Sequence, residues 1–211
     1  MTKTIYLIVE GDGEVKAAPE LVRRILHEWC NRFEFTVARP FNAQGVDSLE
    51  ANFVRFLELA RRDRQGCQGL IVLRDTERDN CAEAIAYNLA GRAANLKLPF
   101  PVVIVCAVCE YESWFLASMQ SISPHYTWTE SVKNVEEAEL ECNAKGWLKR
   151  RMPKDARTYQ ETRDQVTMTT LIDMLDVYEH CRSFRRMVHA VEELLQAIDA
   201  GTYDVTPLPK Q

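Results

Sequence analysis

Hydrophobic positions in the first half of the chain alternate between two textures. Ile5-Tyr-Leu-Ile-Val9, Phe33 to Arg39, Gly69-Leu-Ile-Val-Leu73 and Pro101 to Val108 are short apolar runs of strand length. Between them the spacing becomes helical. Leu21, Val22, Ile25, Leu26 and Trp29 form a stripe on residues 15–32, and Leu49, Phe53, Phe56, Leu57 and Leu59 form another on 47–64, where Asp47 or Ser48 is the expected N-cap. Residues 80–96 predict a third helix. Apolar strands alternating with helices imply an α/β fold whose parallel sheet is covered on both faces. Four strands are expected.

After Glu110 no further strand is expected. Residues 131–151 and 166–200 read as helices, separated by the polar stretch Met152-Pro-Lys-Asp-Ala-Arg157. Val188, Val191, Leu194, Leu195 and Ile198 give the last helix an apolar face. The expected organisation is an α/β core over 1–120, a helical extension over 121–205 packed on it, and a loose tail over 206–211.

With 46% hydrophobic and 27% charged residues among 211, the chain has the composition of a globular protein able to build a core without staples. No apolar run is long enough to span a membrane. Met1-Thr-Lys-Thr leads directly into the first strand without a signal-like pattern, so a cytoplasmic location is expected. The seven cysteines are odd in number and unpatterned. Cys106 and Cys109 have C-x-x-C spacing, but in a strand their side chains point apart, so buried or free thiols are expected throughout. The histidines form no zinc motif. A net charge of −5 excludes a generally basic nucleic-acid-binding surface; any such contact must come from local patches or from bound cations.

Acids fall at the strand ends. The first strand runs into Glu10, Asp12 and Glu14, the third into Asp75, Glu77 and Asp79, and the fourth into Glu110 and Glu112. Parallel strands put these ends on one edge, where open α/β sheets bind ligands. Crowded carboxylates raise one another's pKa unless a cation neutralises them, and hard divalent ions prefer oxygen donors. Taken singly, such acids are more often helix caps, the reading that suits Asp79 and Asp12; taken together they point to a metal site. Gly11-Asp-Gly13 fits neither a dinucleotide fingerprint nor a P-loop, and three acids beside it would repel phosphate.

The strand into Val9-Glu-Gly-x-x-Glu14, followed by a strand into Asp75-x-Glu77, resembles the Toprim domain of topoisomerases, primases and the overcoming-lysogenization-defect nucleases. Glu77 stands where topoisomerases carry a second Asp, which leans toward the nuclease branch. Glu112-Ser-Trp-Phe-Leu-Ala117, Tyr159, Asp164-Gln165 and Ser183-Phe-Arg-Arg186 resemble an uncharacterised Toprim-like family of bacterial defence loci, often encoded beside ATPases. The resemblance implies a compact four-stranded Toprim core, Mg²⁺ (or Mn²⁺), and nuclease activity. It makes Glu10 a general acid–base or metal ligand, Glu14 its helper, Asp75 and Glu77 principal ligands, and Glu112 and Glu110 candidates for a second metal position.

A nuclease also needs cations for substrate phosphates. Lys149-Arg-Arg-Met-Pro-Lys154 is the densest basic run, with Lys145, Arg157 and Arg163 near it. Trp147, Tyr126 and Trp128 are candidates to stack on bases. Arg182, Arg185 and Arg186 form a second cluster. The competing account of each patch is a solvated helix face balanced by acids such as Glu136 and Glu139. The function expected is metal-dependent hydrolysis of DNA or RNA in anti-phage defence, with an ATPase partner and a homo-oligomer left open. The competing expectation is a non-catalytic Toprim-fold subunit that docks on or regulates an ATPase. Phosphatase- or primase-like phosphotransfer on the same acids is a third.

Overall fold

A computed structural model describes residues 3–63, 66–76, 81–153 and 158–207. The apolar runs form strands β1 (Lys3–Val9), β2 (Phe35–Val37), β3 (Phe41–Asn42), β4 (Cys67–Asp75), β5 (Val102–Ala107) and β6 (Val205–Thr206). Every pairing is parallel, in the order β2-β1-β4-β5-β6, with β3 also beside β1. The sheet thus has six strands where four were expected. The second predicted strand, Phe33 to Arg39, shortens to β2, and β3 lies just beyond it; both pair with β1. The additional β6 comes from the expected tail: Val205 and Thr206 pair with Val102 and Val103.

Helices α1 (Glu14–Arg24), α2 (Val46–Arg62) and α3 (Ala82–Ala94) connect the strands. A π-helical turn, Ile25–Trp29, continues α1. Gly45, rather than Asp47 or Ser48, stands at the N-cap of α2. The remainder holds α4 (Ser113–Leu116), α5 (Met119–Ile122), α6 (Ala144–Arg151), α7 (Val166–Leu171), α8 (Met174–His180) and α9 (Arg182–Ala200). The helix expected over 131–151 is shorter: before α6 only a 3-10 turn at Ala138–Leu140 forms. The segment expected as one helix over 166–200 is broken into three, α7, α8 and α9, with Asp173 capping α8 through the N–H groups of Leu175 and Asp176.

Strand alternation sorts the core into two layers. Ile5, Leu7, Val9, Ile71, Leu73 and Val105 face α1, α7 and α9. Tyr6, Ile8, Leu70, Val72, Ile104 and Cys106 face α2 and α3, against Phe53, Leu57 and Leu89. The extension therefore shares one face of the sheet with α1, α9 lying over β4 and β5. Gly69 lets α9 close on β4, because a Cβ there would meet Leu194 and Ile198 at 3.0 Å. Among the described residues, no helix is long and apolar enough to cross a membrane.

The expectation of free thiols is corrected at one pair. Cys109, after β5, and Cys142, just before α6, form a disulfide with a Cα–Cα distance of 4.9 Å. They are 33 positions apart, and folding of the extension onto the sheet rim brings them together. Cys30, Cys67, Cys81, Cys106 and Cys181 are free.

Candidate metal centre and acidic pocket

The register of β1, β4 and β5 sets Val9 beside Leu73 and Asp75 beside Ala107, so the three strands end on one rim. Glu10 continues β1, and one of its oxygens, Oε2, accepts the Asp75 backbone N–H at 3.1 Å. Glu14 opens α1, and its Oε2 accepts the Gly11 N–H at 2.8 Å. This closes the turn between strand and helix and fixes that carboxylate over the rim. Beyond β5 the chain reverses at Cys109, which has a left-handed φ of 59° and donates its N–H to Thr76 Oγ1 at 2.8 Å. The reversal brings the Tyr111 N–H onto Asp75 Oδ1 at 2.8 Å and seats Glu112, fully buried, beside it.

Glu10, Glu14, Asp75 and Glu112 thus share one pocket, and crowding acids out of water carries a cost. Burial, then the charges of Glu112, Glu14 and Glu10, raise Asp75 well above the usual carboxylate range. Burial pushes Glu112 up to about 8, against the lowering effect of Lys145 and of the Tyr159 hydroxyl. Burial also raises Glu10, opposed by its bond from the Asp75 N–H.

The extension closes the pocket. Tyr159 Oη donates to Glu112 Oε1 at 2.7 Å. Gln165 Nε2 donates to Glu14 Oε1 at 3.0 Å and to Glu112 Oε1 at 3.3 Å. Lys145 Nζ lies 3.9 Å from Asp75 Oδ2, 3.8 Å from Glu112 Oε2 and 3.7 Å from Glu161 Oε2. Burial works against its charge, but the carboxylates of Glu112, Asp75, Glu161 and Glu14 outweigh that and lift the ammonium above the ordinary lysine range.

The predicted residues therefore divide. Glu110 does not point into this cluster: its Oε2 accepts the Lys145 backbone N–H at 2.9 Å, capping the start of α6. Asp12 accepts from the Asn42 side chain at 2.6 Å. Glu77 and Asp79 lie outside the described residues, as do Lys154 and Arg157. Lys145, expected on a phosphate-binding surface, is turned into the acids. Arg151 pairs with Glu130 at 2.8 Å and lies 3.9 Å over the Trp147 ring. Arg163 pairs with Asp164 and donates to Thr158 O at 2.8 Å. Lys149 and Arg150 are exposed on α6. Of the candidate stacking rings, Trp147 is buried, and Tyr126 and Trp128 pack partly buried against the core. In the second basic cluster Arg186 pairs with Glu193 at 2.9 Å, and Arg185 donates to Tyr178 O at 2.8 Å.

Glu161, and the hydrogen bonds that Tyr159 and Gln165 make in the pocket, were not foreseen. Only the family-like residues Tyr159 and Asp164-Gln165 marked that stretch, and they carried no assigned role.

The donor set suits a hard divalent ion: carboxylate oxygens dominate, and Glu112 Oε2 is buried without a hydrogen-bond partner among the described residues. The spacing is at present set around the Lys145 ammonium. Among the described residues no three His, Cys, Asp or Glu side chains stand close enough together to hold an ion. No curated protein matches the chain. One family model, the domain of unknown function DUF4276, matches residues 9–192, which runs from the end of β1 through most of α9 and takes in every pocket residue named above. The chain belongs to the DUF4276 family.

Proposed function

We propose that this protein is a metal-dependent nuclease that hydrolyses phosphodiester bonds in DNA or RNA, the effector of a bacterial anti-phage defence system working with an ATPase partner. The observation that carries the reading is the convergence of Glu10, Glu14, Asp75 and Glu112 from separate chain segments on one rim, at the energetic cost seen in the raised pKa values of Glu10, Asp75 and Glu112. A structure with no use for cations has little reason to keep four acids there. The likeness of Val9-Glu-Gly-x-x-Glu14 and Asp75-x-Glu77 to Toprim motifs supports the same reading.

Glu10, Glu14, Asp75 and Glu112 would hold Mg²⁺ or Mn²⁺. The ion would supply Lewis-acid stabilisation of the phosphodiester oxygens. Glu10, only part-buried and with its pKa raised by that burial, is suited to hold or pass a proton at its carboxyl oxygen. Lys145, which lies among the acids, would offset part of their charge, and exposed Lys149 and Arg150, on the same helix, would offer positive charge to substrate phosphates.

The test is purified protein with Mg²⁺ or Mn²⁺ and plasmid, single-stranded DNA or tRNA, alone and with any ATPase encoded beside it. Metal-dependent cleavage lost in Glu10→Ala and Asp75→Ala supports the assignment; cleavage that survives both substitutions removes it.

The second reading, a non-catalytic subunit docked on an ATPase, is favoured by one observation. The Lys145 ammonium lies 3.7 to 3.9 Å from Asp75, Glu112 and Glu161 and offsets part of their charge. Absence of cleavage in every metal, with the partner present, supports that reading.

A further inference from the structure

Glu14 and Glu112 come from opposite ends of the sheet half of the molecule, one opening α1 and the other following β5. One side chain joins them. Gln165 is fully buried and its amide nitrogen reaches an oxygen of each. Turning the amide over would set its oxygen against two carboxylates, so the donor side must face them. The other oxygen of Glu14 is taken by the Gly11 N–H, and Tyr159 shares Glu112 Oε1 with Gln165. These bonds occupy one oxygen of Glu112 and leave Oε2, buried and without a hydrogen-bond donor, toward Asp75 and Lys145.

The backbone on both sides is shaped for this contact. Thr169 Oγ1 donates to Gln165 O at 2.8 Å and is itself in contact with Tyr111 Oη at 3.0 Å, which anchors the turn that carries the glutamine. On the facing side is Gly13. Its φ of −62° is open to any residue, so conformation does not require glycine there. Space does: a Cβ on Gly13 would lie 2.3 Å from Gln165 Oε1 and 2.9 Å from its Cδ. The second glycine of the strand–helix turn is the notch that admits the amide.

We propose that Gln165 is a positioning residue, the brace that holds Glu14 and Glu112 as a pair of oxygen donors to one divalent cation, with Gly13 as its seat. The proposal rests on the metal-dependent reading above. Partners that hold ligands in place commonly set metal affinity by about 10- to 100-fold.

Mn²⁺ binding, measured by electron paramagnetic resonance on the full chain without substrate, tests it. Gln165→Met keeps the volume and removes the amide; it is expected to bind Mn²⁺ at least about tenfold more weakly than the wild type. A side chain that merely fills space would leave the affinity unchanged in this variant. Gly13→Ala touches no carboxylate and should show the same loss, by expelling the amide. Combining Gly13→Ala with Gln165→Ala should cost no more than Gln165→Ala alone, because both act on one contact. Melting in EDTA verifies that each variant is folded. Affinity within about twofold of wild type in Gln165→Met, or additive losses in the double variant, overturns the brace while leaving the metal reading intact. Absence of Mn²⁺ uptake by the wild-type chain overturns both.

Discussion

The backbone N–H of Asp75 donates to the carboxylate of Glu10 at 3.1 Å, tying the end of β4 to the end of β1 just past the last pair of their ladder, Val9 with Leu73. One acid thereby holds the neighbouring strand end in place while the second, Asp75, is left beside Glu112 and Glu14. The rim is ordered by its own charged groups, and the consequences are measurable.

Asp75 carries the largest electrostatic burden of the rim, with three carboxylates raising its pKa on top of burial. Asp75→Asn keeps Oδ1 as acceptor for the Tyr111 N–H and removes the charge. In EDTA it should stabilise the fold by about 1 kcal/mol, or about 2–4 °C in melting temperature for a chain of this size. Calorimetry checks this, and on the metal-dependent reading Mg²⁺ should stabilise the wild type more than this variant.

The metal-free protein should lose stability as pH rises. Glu112 has a folded pKa near 8, and an unfolded glutamate titrates at about 4.3. Between those values the folded state holds the proton more tightly, so this contribution is complete below the unfolded value and disappears as pH passes the folded one. Glu10 and Asp75 shift in the same direction. Melting in EDTA should therefore fall between about pH 5.5 and about pH 8.5, and Glu112→Gln should flatten the curve. A rising curve would contradict the pocket's electrostatics.

Lys145 balances the pocket from outside the sheet. Its side chain is one-quarter exposed and the ion-pair distances are long. Lys145→Met should therefore cost less than a fully buried pair, about 1–3 kcal/mol in EDTA. Because that loss is one of positive charge, Mg²⁺ should restore more of the melting temperature in the variant than it adds to wild type. Thermal melts with and without the ion decide this.

The pairing of Cys109 with Cys142 gives a direct count. Denatured, unreduced protein should present the five free thiols found here, and reduced protein all seven. The bond joins the segment that carries Glu112 to the start of the helix that carries Lys145, and it closes a loop of the size that constrains an unfolded chain by about 3–4 kcal/mol. Cys142→Ser should lower the melting temperature and loosen α6 first, seen as faster amide exchange at Lys145.

The sheet rim was legible because its signals are local. An apolar run ending in acid announces both a strand and the side chain at its tip, which is why Glu10, Asp75 and Glu112 could be placed together from order alone. β6 left no such trace: Val205 and Thr206 pair through backbone groups, and nothing in two residues beside a proline reports that partner. The extension's share of the pocket was hidden for a related reason. Gln165 and Glu14 are 151 positions apart and no periodicity connects them. Lys145 was recognised as a cation, but its sequence neighbours are basic while its spatial neighbours are acids, so its target was misjudged. Arg151 and Arg163 are met by Glu130 and Asp164, the balancing by acids that the competing account of the patch expects.

The close seat of α9 at Gly69 makes the two halves of this chain inseparable in practice. A fragment ending near residue 120 would lack α7 and α9 and bare the underside of β4 and β5, an oily plane that invites clumping. Fusions, truncations and partner screens built on this protein must therefore keep its last helix.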